Sequence, residues 1–301
     1  MITTHFSVWR GLNTSAHPEG LLYDGRSGTC ELALAVDVDI LDNGRRVRCR
    51  PGRVLVDSRD WRDGYNAPDG QAYAVVDGVI CEVLEDLSVR PLAALQSPGP
   101  VAWAALGDIV FWSNGVESGL IQWGEAGEWG GRRFPVASEA ARYVDPAAGQ
   151  VLGAAFGRVW IGRDDVLHYT AGAWNFEKAG ASGIMLPARI TMIRPVDDGL
   201  YVGTEAAVFF LAGANPAAGM PVRRVSIDPA IPGSDVLVRA DDYGRFDPVT
   251  GVIWTGPRGI CLGLPDGIVI NLTKNRVALD APASGAAAVA LPLRYVAILH
   301  P

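Results

Sequence analysis

The 301-residue sequence predicts an all-β fold: a β-propeller of six blades, closed by N- and C-terminal strands that share one blade. Three observations lead there. First, 36 glycines and 20 prolines are spread along the whole chain and bound nearly every apolar run, which disfavours long helices and suits short strands joined by turns. Second, residues 36–50 read as a hairpin with two unlike faces. Third, an aromatic-bearing apolar strand, a turn and a second apolar strand recur along the chain at propeller-blade spacing. A single domain is expected over residues 1–301, with 1–34 an extended N-terminal segment and 35–301 the blades.

The hairpin comes first. Apolar and acidic residues alternate before Asn43-Gly44, and arginines alternate with apolar residues after it. Period two means a strand whose faces differ, and Asn-Gly suits a two-residue turn because both central positions need positive φ. The register then sets Leu41 against Arg46, Ile40 against Val47, Asp39 against Arg48 and Val38 against Cys49, with Asp42–Arg45 and Asp37–Arg50 at the ends. The dense basic stretch of Arg45, Arg46, Arg48, Arg50 and Arg53 is thereby explained by cross-strand pairing, without a phosphate ligand. The aspartates do not make a calcium loop either. Counting from Asp37, the third falls one place late and the twelfth position is Arg48.

The repeating unit follows. Residues 71–76 turn at Asp77-Gly78 into 79–84; 108–112 turn near Asn114-Gly115 toward 120–123; 158–161 turn at residues 163–165 into 166–169. Residues 200–202 pass into 207–211, and 252–254 lead through Gly259 to 260–262 and past Pro265 to 268–270; the last run is 293–299. Marker aromatics Tyr73, Trp112, Trp160, Tyr201, Trp254 and Tyr295 are spaced by 39, 48, 41, 53 and 41 residues, so six blades are expected. The last marker lies six residues from the end, so its blade lacks outer strands that the 36–50 hairpin would supply. A β-sandwich pair is the alternative. Helix is expected only as a short piece at residues 138–143, capped by Ser138.

Composition excludes several functions. A net charge of −7 argues against nucleic-acid binding through a basic surface. No apolar run is long enough to cross a membrane and no secretory signal is recognisable, so no membrane insertion is expected. Cys30, Cys49, Cys81 and Cys261 show no C-x-x-C spacing and read as buried apolar residues in a reducing compartment. Of His5, His17, His168 and His300, none stands in a metal-binding pattern, and His168 reads as a strand residue. No nucleophile elbow or phosphate loop occurs. No catalytic, cofactor or metal residue is nominated.

One region keeps a second reading open. Glu117, Glu125, Glu128 and Asp145 lie near Trp123 and Trp129, the residue types of a carbohydrate-binding or glycan-active surface used in host attachment. The plainer reading makes this a long inter-strand loop with tryptophans tucked into blade cores. Trp103, Trp112, Trp160 and Trp254 sit inside apolar runs and read as packing residues. The charged loop of residues 57–64 reads as a solvated connection or a subunit contact.

The N-terminal stretch carries a resemblance. Trp9-Arg10-Gly11-Leu12-Asn13, His17-Pro18-Glu19-Gly20-Leu21, Ala35-Val36-Asp37-Val38-Asp39, Asp42-Asn43-Gly44-Arg45 and Arg50-Pro51-Gly52 resemble the opening of propeller-type structural proteins of tailed phages and prophages. The propeller portion of short-tailed phage tail nozzle proteins is a relative in kind. The resemblance covers residues 9–52 in motif detail and the rest only in repeat style. It implies a non-enzymatic virion protein of the tail or neck, nozzle- or connector-like, assembled in the host bacterial cytoplasm. Its implied partners are other tail and neck proteins and copies of itself in a ring, joined through apolar, alanine-rich surfaces. DNA would pass through such an acidic ring without specific binding.

Overall fold

The computed structural model describes residues 8–17, 21, 23–24, 29–32, 38–41, 46–49, 55–130, 142–171, 176–180, 183–244, 246–273, 277, 279, 283–291 and 294–300. Five four-stranded antiparallel meanders follow one another along the chain. Blade 1 is Trp61–Asn66, Ala72–Val76, Val79–Val83 and Val89–Ala94. Blade 2 is Ala102–Leu106, Ile109–Ser113, Ser118–Gln122 and Glu125–Glu128. Blade 3 is Val151–Ala155, Arg158–Arg163, Val166–Tyr169 and Gly183–Met185. Blade 4 is Ile190–Val196, Gly199–Thr204, Val208–Ala212 and Val222–Ser226. Blade 5 is Val236–Arg239, Thr250–Gly256, Gly259–Leu264 and Ile268–Asn271. A sixth, two-stranded unit pairs Gly285–Leu291 with Arg294–His300.

From blade 2 onward, the first strands of consecutive units lie side by side, as they do around a propeller axis. Blade 1 joins blade 2 through Asp63. Its carboxylate accepts the Val101 amide at 2.9 Å, and its carbonyl accepts the Trp103 indole N–H at 2.8 Å. All six marker aromatics stand on the second strand of their unit, which explains their spacing. That strand is covered by neighbouring blades on both faces, so it reads as a continuous apolar run rather than an alternating one. Every residue of Ile109–Ser113 and of Gly199–Thr204 is buried.

The core is a series of inter-blade layers. Tyr73, Val75 and Ile80 pack on Trp103, Val110 and Trp112. Phe111 and Leu120 meet Leu152, Val159 and Ile161, and Trp160 and Leu167 meet Ile193, Leu200 and Val202. Tyr201 and Phe210 meet Val252 and Trp254. The layers also dictate where glycine is required. A Cβ on Gly119 would lie 2.5 Å from the Trp112 ring, and one on Gly263 would lie 2.7 Å from Tyr201. Outer strands lose this cover, and Glu125–Glu128 is exposed throughout.

The hairpin of residues 36–50 forms in the expected register over Val38–Leu41 and Arg46–Cys49. Its turn at Asn43-Gly44 and its end pairs Asp37–Arg50 and Asp42–Arg45 lie outside the described residues, as does most of the expected helix at 138–143, whose last residue, Tyr143, begins a strand. The N-terminal segment is extended and paired: Val8–Leu12 runs parallel to Thr29–Leu32, with Tyr23–Asp24 antiparallel on its other side. Among the described residues the N-terminal hairpin and the final hairpin are separate two-stranded sheets. Register within a hairpin follows from local alternation, whereas the edge it joins depends on the placement of distant chain.

Candidate functional site

The residues of the glycan-surface reading fall in unlike environments. Trp129 is buried to 5% exposure, its ring 4.9 Å from Phe111, which is the packing role of the plainer reading. Glu117 is a structural clamp. One carboxylate oxygen accepts the Gln96 and Ser97 amides at 2.8 Å each and the Asn114 side-chain amide at 3.0 Å, tying the blade 1–2 connection to a blade 2 turn. Glu125 and Glu128 are exposed on the outermost strand, and Asp145 lies against Gly130. Trp103, Trp112, Trp160 and Trp254 are buried, as expected. The 57–64 segment folds on itself: Asp57 accepts the Arg59 guanidinium at 2.8 Å and the Trp61 indole at 3.0 Å, and the Arg59 contact holds its carboxyl well below the usual carboxylate range.

Trp123 stands apart, with 84% of its surface exposed. It occupies the tip between the third and fourth strands of blade 2, where Trp123 and Gly124 have φ of 53° and 76°. That geometry suits Asn-Gly; a bulky residue there is strained by about 1 kcal/mol or more. Phe156 stands in the same conformation, with φ of 54°, but packs against the blade 3–4 layer, which offsets its strain. No burial offsets Trp123. At the equivalent tip of blade 1, Leu87 has φ of 64° and is 52% exposed. The two tips lie on the same end of adjacent blades, since strands alternate in direction, and the Arg90 guanidinium reaches Gly124. Glu85, Asp86 and Glu125 lie next to them in the chain and carry exposed negative charge, while Arg90 is paired to Glu82.

Two buried ionisable pairs were not visible in the sequence. Asp235, 8% exposed, meets the Arg194 guanidinium at 2.6 Å and joins the first strands of blades 4 and 5. Burial pushes the Tyr65 phenol up against the pull of that guanidinium. His168 is a strand residue, as expected, but its Nδ1 lies 3.0 Å from Glu177, a carboxylate 5% exposed that also accepts the Ala147 amide at 2.7 Å. His17 and His300 are exposed, and His5 lies outside the described residues. Burial raises the thiols of Cys30 and Cys81 and takes Cys261 up to about 11, so all three suit packing better than nucleophilic work. No cluster of three or more metal-ligating side chains occurs among the described residues.

The blades and their order define a β-propeller. No protein-family model matches the chain, and no curated protein matches its sequence. Solved structures similar to it include BBS1N in complex with ARL6DN, at 10% identity and a TM-score of 0.49, covering 85% of this chain and 79% of that one. A streptogramin B lyase is similar at 13% identity and a TM-score of 0.48, covering 82% and 78%. Virginiamycin B lyase from Staphylococcus aureus is similar at 12% identity and a TM-score of 0.46, covering 75% and 72%. At this distance the likeness carries nothing about activity, and the propeller assignment rests on the blades themselves.

Proposed function

We propose that the chain is a non-enzymatic structural protein of a tailed-phage virion, part of a nozzle- or connector-like tail or neck assembly. It works through contacts with other tail and neck proteins and with copies of itself in a ring, is assembled in the host bacterial cytoplasm, and lets DNA pass without specific binding. The observation that carries the contact role is Trp123: a large apolar side chain, 84% exposed, held in a strained backbone conformation that burial does not offset. Strain of this kind is retained where the side chain has a partner. Leu87 on the adjacent blade supports the reading, and the resemblance of residues 9–52 supplies the virion context.

The test is the solution mass of the purified chain by mass photometry, followed by negative-stain imaging. A closed oligomer that falls apart in the double variant Trp123→Asn, Leu87→Asn supports the proposal. A strict monomer that binds glycans in an array overturns it in favour of the second reading, a carbohydrate-recognising propeller. That reading keeps Trp123 as a lone stacking surface, because Trp129 is buried.

A further inference from the structure

Strand alternation puts two kinds of loop on one end of the propeller: the tips between second and third strands, and the connections from one blade to the next. At that end, between blades 4, 5 and the final hairpin, lies a cavity of about 430 Å³. That volume suits a small organic molecule. Pro229, Ile231 and Pro232 of the blade 4–5 connection, Pro257 of the blade 5 tip, and Leu279 form its apolar walls. Proline has no amide N–H and a fixed φ, so these walls offer few donors and little freedom.

The walls are also tied in place. The Ile231 amide donates to Thr255 at 2.9 Å, the Ala286 amide to Pro232 at 2.7 Å and the Leu279 amide to Pro257 at 3.0 Å. A recess held by main-chain bonds loses little entropy when it is filled.

Among the described residues, one charged group stands on this apolar recess. Glu205 comes from the blade 4 tip, where its amide donates to the Arg189 carbonyl at 3.0 Å. Its carboxylate makes no hydrogen bond or ion pair among the described residues. An apolar pocket whose one carboxylate among the described residues is unpaired there and exposed favours one ligand chemistry. The apolar body of the ligand enters between the prolines, and a cationic nitrogen stays at the carboxylate. A neutral body forgoes the ion pair, and an anion is repelled.

We propose that this cavity binds a small amine with an apolar body, with Glu205 as the counter-ion. The site is separate from the blade 1–2 tips and does not depend on the assembly role.

The test uses 4-phenylbutylamine as the probe and 4-phenylbutyrate as its charge-reversed partner, each titrated into the full chain by calorimetry and saturation-transfer NMR. The amine, with eleven heavy atoms, is expected to saturate with a dissociation constant of about 4 millimolar, the scale set by drug-like ligand efficiency. Glu205→Gln, an exposed change that leaves the core intact, is expected to weaken it about fivefold, the scale of a solvent-exposed ion pair. Ser284→Trp, which fills the cavity from its rim, is expected to remove saturation. The proposal is overturned if the amine fails to saturate, if it binds Glu205→Gln or Ser284→Trp as well as the parent chain, or if the carboxylate binds equally.

Discussion

Removing one oxygen atom from Tyr201 tests the way blade 4 is locked to blade 5. Tyr201 is fully buried on the second strand of blade 4, with its ring 5.2 Å from Phe210 and 5.8 Å from Trp254. Its hydroxyl lies 2.6 Å from the Leu264 carbonyl and 2.9 Å from the Ile268 carbonyl, the two ends of the Pro265–Gly267 turn in blade 5. The hydroxyl has one hydrogen, shared between two acceptors. Tyr201→Phe keeps the ring contacts and removes only this link. The lost bond costs about 0.5–1.5 kcal/mol net, and a carbonyl left without its partner adds to that, so the expected loss is about 1.5–3 kcal/mol. Tyr73→Phe is the internal control. Its ring is also buried between blades, but its hydroxyl donates to the exposed Gln71 side chain, which water replaces, so about 0.5 kcal/mol is expected. Urea unfolding followed by tryptophan fluorescence measures both, provided the slopes agree with the parent protein. A loss for Tyr201→Phe no larger than that for Tyr73→Phe refutes the idea that this hydroxyl links the blades.

Four further outcomes follow from the same structure. Trp123→Asn places Asn-Gly in a turn that prefers it, so stability should hold or rise by about 1 kcal/mol while oligomer formation falls; thermal melts and mass photometry on one sample check both. Glu177→Ala strips the Ala147 amide and His168 of their partner, and should cost about 1–3 kcal/mol in denaturant titrations. Burial takes the Tyr73 phenol up to about 12 and raises Tyr201 and Tyr295 as well, from an ordinary value of 10.0. The folded state therefore holds phenol protons that the unfolded chain releases, so this stability is complete below pH 10.0 and is lost as pH rises through about 12; alkaline unfolding monitored at the tyrosinate absorbance would show it. Cys261, half-buried with its thiol raised to about 11, should react with a thiol reagent at pH 8 much more slowly in the native chain than after denaturation, and equal rates would contradict the raised thiol.

The blades were legible because their cause is local. The turns at Asp77-Gly78 and at residues 163–165 fall where the residue types place them, and the N-terminal hairpin pairs Val38 with Cys49 as alternation requires. Marker aromatics recur because each second strand meets the same environment. The roles of particular residues were less legible. Trp123 and Trp129 have the same residue type and lie six positions apart, yet one is 84% and the other 5% exposed. Each is followed by a glycine, so no local sequence signal separates them. Glu177 and His168 stand nine residues apart with no motif between them, and Asp235 meets Arg194 across a blade boundary.

Alternation, turn chemistry and aromatic spacing by themselves determined that this chain makes successive four-stranded meanders, because strand period and turn geometry act over a few neighbouring residues. Only the tertiary structure decided which tryptophan faces water, which carboxylates are buried against a cation, and that the two terminal hairpins form separate sheets among the described residues. Those outcomes depend on packing between segments far apart in the chain, where no fixed offset in sequence records which groups will meet.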